Sequence, residues 1–308
     1  MAPSDRSALT IFGWMSVAAA LVTIGLKLLA WWLTDSVGLL SDAMESFVNL
    51  AAAVGMMVAL QVASRPADAE HPFGHGKAEY FASGFEGAMI FIAALAIGWT
   101  AIDRLLHPRP LDQPGLGLAL STAASLVNLA TAVVLIRAGK KHHSIALEAD
   151  GKHLMTDVWT SAGVLVAVGL VWATGWQILD PLIALAVAAN IVRMGVDLVR
   201  RSMMGLLDTA LPPHEMEALE KVLAKHRGPT TQFHALRTRQ AASRRFIYMH
   251  VLVPGAWTVQ RGHAHLEEIE KDIRAALPNS TVFAHLEALE DPASFEDQEL
   301  DRAQSPLP

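Results

Sequence analysis

Six apolar runs fill the first 200 residues, near positions 9 to 33, 38 to 62, 80 to 101, 115 to 137, 146 to 173 and 179 to 199. Each is about as long as the ~20 residues a helix needs to cross a hydrocarbon layer. Inside lipid every backbone polar group has to be satisfied within its own segment, so such runs fold as helices or not at all. A bundle of six transmembrane helices is therefore expected over residues 1–207. The composition agrees: 52% of the 308 residues are hydrophobic and only 18% are charged, too apolar for an ordinary soluble domain of this length. The N-terminus has neither the basic head nor the small-residue cleavage site of a signal peptide, so the first run is taken as a span.

Basic residues set the expected orientation. Arg65 and Lys77 follow the second run, Arg137, Lys140 and Lys141 the fourth, and Arg200 and Arg201 the sixth, whereas Arg104 and Arg109 lie in the third connection. On balance the positive-inside rule puts both termini in the cytoplasm. Trp31, Trp32, Trp99, Trp172 and Trp176 fall at span ends on the opposite side, as an interfacial belt does.

After Arg201 the pattern changes. A turn with Pro212 and Pro213 leads into an amphipathic helix, TQFHALRTRQ and RRFIYMHVLV alternate like strands, VQRGHAHLEEIEKDIRAAL reads as a helix and STVFAHLEALE as a last strand. Residues 208–291 are thus expected to form an αββαβ domain of α+β class. Residues 292–308, rich in Pro, Ser and acids, are expected to be a disordered tail.

Ionisable groups within membrane runs mark ion pathways. The fifth run carries His153 and Asp157 four residues apart, on one helical face. The second carries Asp42, Glu45 and Asn49 at relative positions 0, 3 and 7, which fall within a wedge of roughly 60°. One imidazole, two carboxylates and one amide oxygen are a plausible set of ligands for a divalent ion. Asn49 has an alternative role as an interhelical hydrogen-bonding residue, and Asp42 is its alternative as a ligand. Glu86 and Asn128, in the third and fourth runs, are either partners that support the site, Glu86 as a proton relay as well, or residues that bond neighbouring helices. Lys152 is expected to snorkel towards the interface or to meet an acid. Between the second and third runs, Asp68, His71 and His75 offer two imidazoles and a carboxylate, a set that suits Zn²⁺. The chain has no cysteine, which removes disulfides and thiolate ligands, and its net charge of -6 argues against nucleic acid as a partner.

With its six runs, the two membrane pairs and the loop RPADAEHPFGHGKAE, followed by the αββαβ pattern, the chain resembles the cation diffusion facilitator family of divalent-metal/proton antiporters. The likeness is to bacterial iron and zinc exporters and runs from the first span to about residue 292. It implies a transport site at Glu45, Asn49, His153 and Asp157, and a peripheral metal site at Asp68, His71 and His75. It also implies a binuclear cytoplasmic site at His234, His250, His263, His285 and Glu287, a charge pair joining the domains between Lys77 and Asp208, and a homodimer in a bacterial inner membrane. Zn²⁺ or Fe²⁺ is the expected cargo, with Mn²⁺, Co²⁺ and Cd²⁺ as further candidates. Here the chain departs from the common pattern, because Glu45 and Asn49 stand where aspartate or histidine and then aspartate are usual, and Glu287 replaces aspartate. His265 competes with His263 for one ligand position. No HExxH motif occurs, so an intramembrane metalloenzyme is a distant rival. A metal-sensing scaffold that does not transport is another, suggested by Asn49 and Lys152.

Overall fold

The computed structural model describes residues 9–34, 37–107, 116–296 and 298. They divide into two compact units that part between Leu206 and Leu207. In the first, six long helices follow one another: α1 (Thr10–Thr34), α2 (Val37–Ala63), α3 (Ala78–Leu106), α4 (Leu116–His142), α5 (Ile145–Thr174) and α6 (Leu179–Leu206). Among the described residues four segments are long and apolar enough to cross a membrane: Thr10–Leu29, Ala78–Leu106, Thr122–His142 and Pro181–Leu206. For α2 only the shorter Asn49–Ala63 is described as an apolar segment. α5 carries Glu148, Asp150, Lys152 and Asp157 along its first half.

Beneath an apolar surface the unit buries polar groups among its apolar core residues. Trp32, Trp99, Trp176, Phe81, Phe85 and Ile92 point outwards, whereas Ser46, Asn49, Glu79, Glu86, Asn128, Asp150 and His153 are buried. Such an arrangement suits a solvent of lipid tails, where an exposed indole or phenyl costs nothing and an exposed carboxylate is expensive. Close helix contact makes the interior possible. At Gly195 of α6 an added Cβ would stand 3.0 Å from the backbone nitrogen of Phe91 and 3.1 Å from the carbonyl oxygen of Gly87, both on α3, so only glycine lets these two backbones touch. α5 is tied to α6 by two ionic rungs one turn apart, Glu148 to Arg201 at 2.7 Å and Lys152 to Asp197 at 2.9 Å. Lys152 thus meets an acid. α5 is also joined to α3, where the Ser144 hydroxyl donates to Glu79 Oε2 at 2.5 Å. Ser144 caps the start of α5 by accepting from the Leu147 N–H, and Gly175, at φ 74°, ends it in the left-handed region that favours glycine.

The second unit follows the order α7 (Pro213–His226), β1 (Gln232–Ala241), β2 (Arg244–Val253), α8 (Val259–Ala276) and β3 (Ser280–Ala288). β2 is the central strand, antiparallel to β1 and parallel to β3. A two-residue turn, Ala242 and Ser243, closes the β1–β2 hairpin, with Ala242 at φ 52°, as tight hairpins require. Ile247, Met249, Val251 and Val253 alternate along β2 and join Leu219, Leu223, Ile269 and Ile273 of the two helices in one core. The intervening residues, His250 among them, belong to the other face of the sheet. Beneath the start of β2 the Arg245 guanidinium forms a buried bidentate pair with Glu215 of α7, at 2.7 Å from Nε and 2.5 Å from Nη2.

The beginning of the expected tail is ordered. Pro292–Phe295 form a 3₁₀ turn, Asp291 caps it by accepting from the Ala293 N–H, and the Ser294 hydroxyl donates to the Ala288 carbonyl. Phe295 stands edge-on to His234, ring centroids 5.9 Å apart. Burying Ser294 and covering His234 hold these few residues despite their polar composition. Residues 299–308 lie outside the described residues.

Candidate metal centres

Within the helical unit α2, α4 and α5 converge on Asp157. Asn49 Nδ2 of α2 donates to Asp157 Oδ2 at 2.5 Å, and Asn128 Nδ2 of α4 donates to the same oxygen at 3.2 Å. His153 Nε2 lies 2.8 Å from Asn49 Oδ1. With the amide nitrogen turned to the carboxylate, the amide oxygen is left to accept, so Nε2 is the protonated ring nitrogen in this arrangement. Asn49, Asn128 and His153 are buried. Helical periodicity explains the convergence, since His153 and Asp157 lie one turn apart on α5 and both reach Asn49. Of the residues singled out in the sequence, the structure joins Asn49, His153 and Asp157 in one network and brings Asn128 into direct contact with it. Asp42 and Glu45 lie on α2, one to two turns before Asn49, but their side chains lie outside the described residues. Imidazole, carboxylate and amide are donors for a divalent ion of borderline to hard character.

The loop before α3 forms a second cluster. Asp68 Oδ1 accepts from the backbone N–H groups of His71 and Glu70, at 2.7 and 3.1 Å, and lies 3.2 Å from His71 Nδ1. Asp68 Oδ2 lies 3.3 Å from His75 Nε2, and the two imidazoles are tilted by 42° with centroids 4.3 Å apart. The backbone N–H of His71 and the neighbouring imidazoles hold the Asp68 carboxyl below its ordinary range. Gly74, at φ 82°, takes the left-handed turn between the histidines. One ligand atom from each of the three residues lies within 4.8 Å of the others, a geometry that fits Zn²⁺.

The sheet of the C-terminal unit carries a third. His234, His250 and His285 stand in one row of the register, each directly across from the next. Glu287, two residues beyond His285 and so on the same face, reaches across them: Oε2 lies 2.8 Å from His234 Nε2, and Oε1 lies 3.2 Å from His250 Nδ1 and 3.6 Å from His285 Nε2. The Glu287 side chain is 7% exposed and that of His285 66%. The β1 register shifts between His234 and Arg237, where Ala235 takes φ 48°; this bulge sets the direction of the His234 side chain. His234, His250 and Glu287 have ligand atoms within 4.8 Å of one another, and two imidazoles with a buried carboxylate fit a metal ion. The Nδ1 of His234 is buried with no protein partner.

His263 is exposed on α8 and lies outside that group. Its neighbour His265 belongs to a different cluster: Nε2 lies 3.1 Å from Thr231 Oγ1, and the ring packs edge-on to Trp257. Burial, with His226 nearby, lowers the pKa of His265 from 6.5. Lys77 donates to the Leu206 carbonyl at 3.3 Å within the helical unit, and Asp208 pairs with Arg239 at 3.2 Å within the other.

Comparison with known proteins matches both units. The model of the cation efflux transmembrane domain covers residues 13–207, and that of the cation efflux protein cytoplasmic domain covers residues 211–289. The uncharacterized transporter sll1263 of Synechocystis sp. is 56% identical over 282 residues, 92% of this chain and 91% of that protein. The cation-efflux pump FieF of Salmonella arizonae is 32% identical over 285 residues, 92% and 93% of the two chains. A solved structure of CzrB in its Zn form is 31% identical over a segment that covers 27% of this chain and 93% of that one, with a TM-score of 0.25. The matches span the helical unit and the sheet domain alike, and they show that the chain belongs to the cation efflux, or cation diffusion facilitator, family.

Proposed function

We propose that the protein exports a divalent transition-metal ion from the cytoplasm in exchange for protons, by alternating access of one site inside the helical unit. The observation that carries this is the buried network of Asn49, Asn128, His153 and Asp157, a set of metal donors inside helices that face lipid. Zn²⁺ and Fe²⁺ are the first candidates, and Mn²⁺, Co²⁺ and Cd²⁺ suit the same oxygen-rich set. All six helices span the inner membrane of a bacterium with both termini in the cytoplasm, and the C-terminal unit joins two copies into a homodimer.

The chemistry follows from the donors. Two amides converge on Asp157 Oδ2, and an arriving cation competes with them for that oxygen. Asn49 then rotates its amide and offers Oδ1, and His153, doubly protonated in the proton-loaded site, gives up its Nε2 proton, keeps the one on Nδ1 and binds through Nε2 as a neutral imidazole. Metal loading therefore releases protons, and protonation from the far side expels the ion. Asn49 cannot titrate, so Glu45, His153 and Asp157 are the ligands that exchange protons. The loop cluster and the histidine row hold metal outside this path, Asp68, His71 and His75 near the mouth and His234, His250 and Glu287 as a sensor of cytoplasmic load, with His263 and His285 contributing to the latter. Lys77 and Asp208 position the two units relative to each other.

The test is uptake of each metal into proteoliposomes under an imposed pH gradient, for the native chain, Asp157→Ala and Asn49→Asp. Uptake of one or two metals, abolished in Asp157→Ala and dependent on the gradient, is expected. A changed metal order in Asn49→Asp is expected as well, since a second carboxylate then faces Asp157. Gradient-independent uptake refutes the exchange, and binding without any uptake would favour a metal-sensing scaffold.

A further inference from the structure

α3 and α5 meet where Ser144 bonds Glu79, and about two turns from that bond each helix buries a carboxylate that the metal network does not use. Glu86 is 3% and Asp150 1% exposed, and Glu86 Oε1 and Asp150 Oδ2 have no hydrogen-bond partner. Asp150 is the charged group that acts on Glu86, and Ser16 of α1 and His153 are the groups that act on Asp150. The polar and charged groups that pair between the packed helices do so with other partners. From α6, Arg201 pairs with Glu148 and Asp197 with Lys152. From α3, Glu79 accepts from Ser144. From α2 and α4, Asn49 and Asn128 turn to Asp157. Lys27 is buried in α1, on the face that carries Ser16 but eleven residues, or about 16 Å, along the axis.

Two ionised carboxylates in a low-dielectric interior with no lysine or arginine beside them repel each other and forgo hydration. Polar and ionisable groups placed at such a position inside a membrane bundle usually serve an ion path. We propose that Glu86 and Asp150 together hold one exchangeable proton, at a site separate from the metal ligands, and that this proton is among those exchanged for metal. The inference rests on the exchange proposed above and extends it: Asn49 removes a titratable group from the metal site, and the acid pair restores one alongside it. No bond other than O–H forms or breaks. When a divalent ion reaches His153, its charge disfavours the proton on the pair, which leaves, and the proton returns as the ion departs.

Infrared difference spectroscopy on the full chain in detergent, at neutral pH and with added Zn²⁺, reads the carbonyl stretch of a protonated carboxyl directly. The native chain is expected to lose such a band on adding metal, and Glu86→Gln and Asp150→Asn to lack it. Glu86→Asp is expected to restore it, and this separates proton holding from mere packing. Metal binding to Glu86→Gln, followed by calorimetry, is expected to keep the native number of bound ions, because Glu86 is not a ligand, while its affinity becomes less dependent on pH. In proteoliposomes the protons moved per metal ion are expected to fall by one in Glu86→Gln. A native chain without the band, or a band that persists in both variants, overturns the proposal. So does one fewer Zn²⁺ bound by Glu86→Gln, which would make the pair a metal site. A native chain that shows the band but carries no metal would instead refute the transport reading and leave the proton site standing.

Discussion

Removing Glu215 from beneath the sheet strands a charge. In Glu215→Ala the Arg245 guanidinium keeps its bond to the Pro278 carbonyl at 2.7 Å and loses both bonds to the carboxylate. The side chains are 7% and 5% exposed, so water cannot replace the missing partner without opening the core. Breaking a buried pair from one side costs about 3 to 5 kcal/mol. A domain of this size has a total stability of about 5 to 15 kcal/mol, so roughly a fifth or more of it is at risk. Hydrogen exchange followed by mass spectrometry on the full chain reads this locally. Amides of β2 that exchange through opening of the unit are expected to exchange roughly two to three and a half orders of magnitude faster. Peptides from α3 and α6, in the other unit, are expected to keep their native rates. The double variant Glu215→Leu with Arg245→Met is expected to recover most of the protection, because an apolar pair of similar volume has no charge to strand. Acceleration of less than about tenfold in Glu215→Ala would refute the reasoning, since it would mean that the guanidinium reaches water or another acceptor at little cost.

Two further outcomes follow from the metal clusters. Glu287→Ala is expected to weaken Zn²⁺ binding to the C-terminal unit by more than roughly 100-fold, beyond the effect of losing a supporting residue, whereas His285→Ala, which removes an exposed imidazole at 3.6 Å, is expected to have a smaller effect; competition with a chromogenic chelator measures both. Because the folded loop lowers the Asp68 pKa below 3.8, its contribution is fully present above that value and lost as pH falls through the lower, folded one, so loop protection measured by hydrogen exchange is expected to be equal at pH 6 and pH 5, to fall only in stronger acid, and to lack that acid step in Asp68→Asn.

The ligand stripes were legible in the sequence because a helix repeats every 3.6 residues: His153 and Asp157 could be placed on one face from spacing alone, and the strands were legible from their twofold alternation. Position across helices was not. Asn128 could be read either as a partner of the site or as a bond to a neighbouring helix, and nothing in SLVNLAT shows that its amide reaches Asp157. Asp150 passed unnoticed beside the stronger HxxxD signal, although it sits seven residues before Asp157 and therefore on the same stripe. The bulge at Ala235, which directs His234, depends on a backbone angle that alanine does not advertise. The expected disordered tail erred at its start for a similar reason, since Pro292–Phe295 are held by Phe295 against His234 and by Ser294 on the Ala288 carbonyl, contacts made with a distant strand. Lys152 was expected either to snorkel or to find an acid, and only α6 could supply Asp197.

The single row formed by His234, His250 and His285 has a mechanical meaning. Each of the three strands contributes one imidazole to the row, and slipping any strand by one residue turns its side chain to the opposite face. An ion held there is a rivet through the sheet: it resists sliding of β1 and β3 against β2, so metal load would be felt as the shear strength of the domain, and a chain pulled along its strands would yield at higher force when loaded than when stripped.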